Sequence, residues 1–188
     1  MIPVEITHGW MHRIAAGTMF ADLQKIAWVR RGQTPRMEYF TSTIGRPYTY
    51  GKGDFARTYE PNPDVHVITL LTAELKNATG VDYELCFLNR YMDQTQHLGW
   101  HSDNSPEIDD ARPIAIVSLG VERDIWFRKI PGALPGDPVH TETAKAKLTH
   151  GSLCVMAPGM QDTHQHRIPK ASWQCGERIS LTFRGAAS

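Results

Sequence analysis

The chain has 188 residues, of which 41% are hydrophobic and 21% charged, a composition typical of one globular domain. Its 20 basic and 20 acidic residues give zero net charge, which excludes a general electrostatic attraction of the whole chain to nucleic acids or membranes. A local attraction stays open, because residues 25–60 hold seven Lys or Arg and three acidic residues, net +4 (seven minus three), although an ordinary solvated surface would look the same.

Two further features concern the cellular setting. The N-terminal MIPVEITHGWMHRIAAG is interrupted by charged residues and histidines, which predicts neither a signal peptide nor a membrane span. The three cysteines, Cys86, Cys154 and Cys175, are an odd number without a CxxC spacing, and the first two lie in apolar runs that predict burial. We therefore expect a soluble, cytoplasmic protein, and a monomer.

Helices are predicted in the first half of the chain and strands in the second. Residues 18–28 and 67–80 carry apolar side chains at helical spacing, and Gly80 closes the second helix. From residue 83 the period becomes two, in the runs 83–91, 113–120, 124–129, 151–159 and 178–185. The prolines and glycines of residues 129–151 predict a loop. The pattern predicts a mainly β fold with N-terminal helices outside a sandwich or barrel, with a looser α+β fold as the alternative.

The stretch GWHSDN contains a possible pair of metal ligands. His101 and Asp103 share one face of a strand, whereas Trp100 alternates to the opposite face, where we expect core. Roughly one His-x-acid triplet is expected by chance, and HTE at His140 and Glu142 is a second, in a loop that positions neither side chain. With a third ligand from His164 or His166, the set is typical of non-haem Fe(II) oxygenases, and a zinc hydrolase is the alternative.

The last strand has two arginines on one face. Alternation puts Arg178, Ser180, Thr182 and Arg184 together, at most about 20 Å from end to end. Buried guanidiniums require anionic partners, and two of them suit a small dicarboxylate; alternatively each pairs with a protein carboxylate, or Arg184 reaches solvent. On an earlier strand Asn89 and Tyr91 share a face and could offer an amide and a phenol to the same ligand, or could satisfy a neighbouring strand.

These residues occur in an ordered set of motifs. NRYMDQTQHLGWHSDN, PIAIVSLG, HGSLCVMAPGMQDTHQHRIPK and RISLTFR, in this order, resemble the AlkB family of Fe(II)- and 2-oxoglutarate-dependent dioxygenases over residues 35–184. The resemblance implies a double-stranded β-helix, or jelly roll. It also implies Fe(II) ligands (His101, Asp103, His166) and 2-oxoglutarate-binding residues (Arg178, Arg184, Asn89, Tyr91, with Ser180 on the same face).

The activity implied by the resemblance is oxidative. O₂ and 2-oxoglutarate are consumed, succinate and CO₂ are released, and a C–H bond of a nucleic-acid base is hydroxylated. An N-methyl group would then be lost as formaldehyde. The base would be taken out of its stack and held between side chains.

The segment TPRMEYFTSTIGRPYTYGKG resembles the family's substrate lid. The resemblance implies that Tyr48 and Tyr50, with Tyr39, stack on or flank the substrate, unless Tyr48 and Tyr50 are aromatics that pack on the core. Basic residues of this region would contact phosphates, namely Arg31, Arg36, Arg46 and Lys52. We therefore expect one domain over residues 1–188, with the lid at about 30–60 and the β-helix core at about 83–188.

Three departures from the family pattern concern the substrate. Ser105 stands where base-repair members place an acidic residue, and Glu107 could replace it only if the loop turns differently. The segment VRRGQ is too short for a loop that wedges into duplex DNA, which favours a single-stranded or exposed DNA or RNA. His164 stands where related sequences often have tryptophan.

Other functions stay open from the sequence. A dioxygenase of the same fold could act on a protein side chain or a small metabolite. A non-enzymatic binding module and a metal-dependent hydrolase fit less well, because neither needs the full set of ligands and paired arginines.

Overall fold

The computed structural model describes residues 2–32, 34–51, 56–133 and 143–188. Three helices are present in this part of the chain: α1 (Arg13–Leu23), α2 (His66–Thr79) and α3 (Met160–Thr163). The strands are β1 (Val4–Thr7), β2 (Met37–Ser42), β3 (Tyr48–Tyr50), β4 (Arg57–Tyr59), β5 (Leu85–Tyr91), β6 (Leu98–His101), β7 (Ile114–Gly120), β8 (Arg123–Lys129), β9 (Ala144–Leu148), β10 (Ser152–Met156), β11 (His164–Ile168) and β12 (Arg178–Arg184).

The strands form a jelly roll of two antiparallel sheets. The large sheet has the order β1-β10-β7-β12-β5-β2 and the small sheet the order β6-β11-β8-β9, while β3 and β4 form a separate hairpin. Along the chain from β5 to β12 the strands are divided four and four between the two sheets, which is the double-stranded β-helix expected from the resemblance. β1 and β2 extend the large sheet at its two edges.

The helices cover the outer face of the large sheet. The apolar face of α2 supplies Ile68, Leu71 and Leu75 to a core that also contains Leu181 and Phe183 of β12. Because alternate residues of a strand face opposite ways, the polar partners on β12 point into the space between the sheets. This packing decides which side chains can form a site.

The first helix lies earlier than predicted. It covers Arg13–Leu23 rather than residues 18–28, although Ile26 and Trp28 still pack against the helical core. The chain turns after Leu23, and the indole N–H of Trp28 donates to the Leu23 carbonyl at 2.8 Å. Ile26 and Trp28 therefore pack on the helical core although they follow the end of α1. Their apolar spacing was mistaken for a continuation of the helix.

The prediction of a loop over residues 129–151 was wrong for its last part. β9 (Ala144–Leu148) pairs with β8 at the edge of the small sheet. Its sequence, AKAKL, alternates lysine with alanine, and most of it is solvent-exposed, so it carries little hydrophobic signal.

Two predictions about the setting can be compared with the fold. Cys86 and Cys154 are buried free thiols, as predicted, and Cys175 is a partly exposed one. Among the described residues no helix is both long and apolar enough to cross a membrane.

Candidate active site

Three potential metal ligands converge between the sheets. His101 is the last residue of β6, Asp103 follows two residues later, and His166 lies directly opposite His101 on the neighbouring strand β11. One ligand atom from each side chain lies within 4.8 Å of the others. The His101 Nε2 is 3.7 Å from one Asp103 oxygen, and the His166 Nε2 is 3.9 Å from the other. The antiparallel pairing of β6 and β11 therefore brings together a His₂-Asp set.

Both histidines are prepared to act as neutral ligands. The Nδ1 of His101 lies 2.9 Å from the Gly99 carbonyl, so this nitrogen carries the proton and Nε2 offers its lone pair. Burial lowers the pKa of His101. Burial, and to a smaller extent the charge of His101, lowers the pKa of His166 to about 3. Both rings are therefore uncharged at neutral pH.

Asp103 stays ionised although it is buried. Burial alone would raise its pKa, but Arg184 and the two histidines together lower it to about 2. The Arg184 Nη2 lies 2.9 Å from Asp103 Oδ2, and the Asp103 backbone N–H donates to Gln161 Oε1 at 2.9 Å. The alternative that Arg184 pairs with a protein carboxylate is thus correct for this arginine, and its partner is a candidate metal ligand.

Arg178 has no carboxylate partner among the described residues. It is 0% exposed, and its Nε donates to Ser118 Oγ at 2.9 Å, whereas Nη1 and Nη2 have no hydrogen-bond partner. The buried hydroxyl of Tyr91, directly across the strand pair, also lacks a well-formed hydrogen bond, although it lies close enough to the Arg178 guanidinium to raise the pKa of that group. Burial lowers the pKa of Arg178 to about 10, so its charge is held at a cost. Unpaired donors around a buried cation form a receptor for a carboxylate.

A row of polar side chains crosses the large sheet at Ser180, between Arg178 and Arg184 of β12. In register across the large sheet lie Glu38, Asn89, Ser180, Ser118 and Ser152. The Asn89 Oδ1 accepts from Arg36 Nε at 2.5 Å, and Arg36 Nη2 pairs with Glu38 Oε1 at 2.9 Å. Asn89 and Ser180 therefore face the interior, as alternation predicts, but part of the capacity of Asn89 is already used by Arg36.

The lid hairpin closes one side of the site. A small cavity of about 20 Å³ lies beneath it and is lined by residues of the lid and by His101, Asp103, Asn89 and Arg184. Tyr50 lies in this lining, with its ring centroid 6.0 Å from that of His101. Tyr48 is 1% exposed and packs among Phe40, Tyr59 and Phe87, so it belongs mainly to the core of the hairpin.

Tyr39 is not brought into the site. It lies on the opposite face of β2, packs against Trp28 in the helical core and donates its hydroxyl to the Pro63 carbonyl at 2.6 Å. A strand exposes alternate residues to each side, and Phe40 rather than Tyr39 faces the hairpin.

Ser105 anchors the lid. Its hydroxyl donates to the Thr49 carbonyl at 2.7 Å, and the Thr49 N–H donates to Glu107 Oε1 at 3.2 Å. Ser105 and Glu107 thus hold both backbone groups of Thr49, the central residue of β3, between Tyr48 and Tyr50. They also line an open groove beside His101, of about 540 Å³, through which a substrate could enter.

The basic residues predicted to contact phosphates have diverse positions. Arg36 is 8% exposed and paired inside the site. Arg46 donates to the Ala187 carbonyl at 2.6 Å, and Arg31 stacks on the Tyr59 ring at 4.6 Å. Lys52 lies outside the described residues, as do His140 and Glu142. Arg31 and Arg46 are exposed, so a contact of these two with phosphates stays a prediction, whereas the Arg36 guanidinium is already paired.

The structure adds interior residues that the sequence reading did not select. Ser118 binds Arg178, and Gln161 fixes the Asp103 backbone. Strand alternation could have placed Ser118 on the inner face of β7, but nothing in the sequence distinguishes it from other strand serines. Gln161 lies on a one-turn helix whose position only the fold reveals.

The donor set fits Fe(II) and 2-oxoglutarate. Two neutral imidazoles and one ionised carboxylate match an Fe(II) site with open positions. The unpartnered Arg178 and Tyr91 groups match the distal carboxylate of a small diacid. A zinc hydrolase would have no use for this second receptor.

Comparison with known proteins identifies the family. The model of the 2OG-Fe(II) oxygenase superfamily matches residues 14–184. The chain belongs to this superfamily. It also belongs to its AlkB branch: it is 30% identical to the DNA oxidative demethylase ALKBH2 of Mus musculus, over 93% of this chain and 83% of the relative. The resemblance seen in the motifs is thereby confirmed, and this family of enzymes uses Fe(II), 2-oxoglutarate and O₂.

Other relatives agree. The alpha-ketoglutarate-dependent dioxygenase alkB homolog 3 of Bos taurus is 34% identical over 81% of this chain, but the match covers 52% of the bovine protein. The chain thus spans about half the length of this relative. The solved structure of OsALKBH1 has a TM-score of 0.67 at 14% identity and covers 98% of this chain and 97% of its own, which supports the jelly-roll fold alone.

Proposed function

We propose that this protein is an Fe(II)- and 2-oxoglutarate-dependent dioxygenase that demethylates or hydroxylates a nucleic-acid base, preferably in a single-stranded or exposed segment. The observation that carries the proposal is the His101, Asp103 and His166 ligand set, which lies beside an open groove at Tyr50 in a fold that also buries the unpartnered Arg178 guanidinium nitrogens. The names of the bovine and murine relatives give the same class of reaction for those proteins.

The roles of the residues follow from their contacts. Arg178, Tyr91 and Ser118 would hold the distal carboxylate of 2-oxoglutarate, with Asn89 and Ser180 along its length. His101, Asp103 and His166 would hold Fe(II), which together with O₂ and 2-oxoglutarate supplies the power to hydroxylate a C–H bond. Arg184 pairs with Asp103 and keeps this carboxylate ionised and oriented. Asp103 can therefore act as a charged ligand even though it is buried away from water.

The entrance governs the substrate. Tyr50 offers an aromatic face next to His101, and base–aromatic stacking is worth about 1–3 kcal/mol. Ser105 is occupied with the Thr49 carbonyl, so it holds the lid instead of reading a base. Arg36, Tyr48 and Ser105 would thus support the substrate pocket indirectly, and Tyr39 has no place in it.

Several finer features belong to the same proposal. We regard residues 1–188 as one domain, with the β-helix core at about 83–188. Within the region 30–60, β2 is part of the large sheet, so the substrate lid would be the hairpin of β3 and β4. We further propose a cytoplasmic location, for which the buried free thiols are the supporting observation, and a monomeric state.

Turnover measurements test this function. Purified protein is loaded anaerobically with Fe(II) and given 2-oxoglutarate and O₂, together with methylated single-stranded DNA, unmodified DNA, methylated RNA, or nothing. We expect succinate to rise with the methylated strands and formaldehyde to appear in equal amount. His101→Ala, purified in the same way, controls for free iron. If succinate forms at the same rate with and without each nucleic acid, the substrate belongs to another class, such as a protein side chain or a metabolite.

A further inference from the structure

The outer face of the small sheet carries alternating aromatic and cationic side chains. We call this set the outer ladder; it comprises Trp100, Arg167, Trp126, Lys145 and Arg128. Arg167 lies opposite Trp126, and Trp126 lies opposite Lys145, in one row across β11, β8 and β9. Trp100 was expected on the face opposite His101, where it does lie, but it is a partly exposed member of this ladder instead of a core residue.

The ladder is held by close cation–π contacts. The guanidinium carbon of Arg167 lies 4.7 Å from the Trp100 ring centroid and 4.2 Å from that of Trp126. Arg128 lies 4.4 Å from Trp100, and the Lys145 Nζ lies 4.4 Å from Trp126. The rings therefore fix the cations in place at the surface, so little side-chain entropy is lost when an anion binds them.

Among the described residues no salt bridge neutralises the ladder, although the Asp124 carboxylate lies beside it and accepts from Trp126 Nε1 at 3.5 Å. Within the described part of the chain, Arg128, Arg167 and Lys145 have no ion-pair partner. Arg128 donates through Nε and Nη2 to the neutral Gln165 Oε1, at 3.0 and 2.7 Å, and Arg167 Nε has no hydrogen-bond partner. Neighbouring like charges destabilise the free protein, which an anionic partner would relieve.

The ladder begins next to the active site. Trp100 precedes His101 on β6, and Arg167 follows His166 on β11. β6 is the edge strand of the small sheet, and the groove beside it is lined by His101, Ser102 and Asn104. A chain that leaves this groove over the edge of β6 arrives at Trp100.

We propose that the outer ladder binds the phosphodiester backbone of the nucleic-acid strand, outside the nucleotide held at the active site. This inference rests on the proposed function for the identity of the polyanion. Guanidinium groups match phosphate oxygens, and rows of cations with aromatic planes are a feature of surfaces that bind single strands. An acidic protein would satisfy the charge as well, but it would not be delivered by the active-site groove.

Binding measurements with a matched control test the ladder. Fluorescence anisotropy gives the Kd of a 5-mer and a 20-mer methylated single strand, from low to moderate salt. Arg167→Gln with Lys145→Gln removes two ladder charges, and Arg13→Gln with Lys76→Gln removes two exposed charges from the helical side. We expect the ladder variant to bind the 20-mer about tenfold more weakly and to reduce its salt slope by roughly 1.4. The control variant should match the wild type.

A second variant distinguishes lost binding from a loss of packing in the folded protein. Lys145 is exposed, so Lys145→Glu should leave the melting temperature unchanged and still weaken 20-mer binding, with Lys76→Glu as its control. Equal 20-mer affinities and salt slopes for ladder and control variants would overturn the inference, even if the methylated 5-mer is turned over. Conversely, selective loss of 20-mer binding without any nucleic-acid-dependent turnover would support the ladder and refute the proposed function. Preference of the ladder for an acidic polypeptide over the 20-mer would also overturn it.

Discussion

Replacement of Arg178 by methionine tests two effects of this buried charge separately: its destabilisation of the free protein and its contribution to binding 2-oxoglutarate. Methionine has a similar length and fills the space without the guanidinium. The wild-type side chain is fully buried, makes one hydrogen bond to Ser118 and leaves two nitrogens unpaired. If these nitrogens await a carboxylate, the substitution should improve the free protein and damage the complex.

The magnitude follows from the pKa. Burial lowers the pKa of Arg178 from 12.5 to about 10, which corresponds to about 3 kcal/mol at about 1.4 kcal/mol per pH unit. The lowered pKa means that burial destabilises the charged form of Arg178 in the folded protein. At pH 7 the side chain is charged in both the folded and the unfolded protein, so the full penalty lowers the free energy of unfolding at this pH. Losing the bond to Ser118 costs about 1 kcal/mol. The variant without ligand should therefore be about 2 kcal/mol more stable, or about 4–8 °C in Tm.

Binding of 2-oxoglutarate should change in the opposite direction. A charge-assisted hydrogen bond contributes about 1.5–3 kcal/mol, so Arg178→Met should raise the Kd for 2-oxoglutarate roughly ten- to a hundred-fold. Tyr91→Phe removes a hydroxyl whose interaction with the Arg178 guanidinium is not a well-formed hydrogen bond, so it should change Tm little and raise the Kd about two- to tenfold.

Differential scanning fluorimetry and calorimetric titration with 2-oxoglutarate measure both quantities. Arg123→Met is the matched control for stability, because this buried arginine donates to three backbone carbonyls, those of Asp93, Gln96 and Pro169. That variant should be destabilised. An Arg178→Met protein that melts lower than the wild type and binds 2-oxoglutarate with unchanged affinity would refute the receptor.

Three other predictions concern the metal, the entrance and the support of the site. His101→Ala should abolish succinate formation and weaken Fe(II) binding while circular dichroism stays unchanged; turnover by the iron-loaded variant would contradict the ligand assignment. Tyr50→Leu should raise the KM for a methylated strand about 5- to 100-fold, from lost stacking, with little change in Fe(II) affinity; an unchanged KM would remove Tyr50 from the substrate pocket. Gly185→Ala should lower the free energy of unfolding by about 1–3 kcal/mol in urea melts, because a Cβ there would collide with the Arg112 side chain, which Glu84 and Asp109 hold; a neutral result would show that Arg112 can move freely.

The ligand set was largely predictable from the sequence. The spacing of His101 and Asp103 puts both near one strand end, and order along the chain limits the third ligand to His164 or His166. Both of these histidines lie on the buried face of β11, so alternation could not choose between them. The register of β11 against β6, which places His166 opposite His101, makes the choice physically, and register depends on distant parts of the chain.

The lid was predictable only in outline. Its aromatic residues suggested stacking, but the face that each one occupies depends on strand boundaries that the sequence left open. Tyr39 lies in a strand of the large sheet and Tyr48 in the hairpin core, which leaves Tyr50 beside His101. A shift of one residue in a strand exchanges its two faces, so an aromatic motif without its register cannot identify the stacking residue.

Ser105 shows why side-chain chemistry alone was insufficient at the entrance. In sequence, a serine in place of an acidic residue suggests a change in base recognition. In the fold, its hydroxyl and the Glu107 carboxylate both bind backbone groups of Thr49. A contact with the backbone does not depend on the side chain of Thr49, so no sequence motif could have revealed it. This pair of bonds fixes Tyr50 relative to His101. Selectivity for a base would then depend on how the anchored hairpin shapes the groove, and less on one acceptor that reads an exocyclic amine.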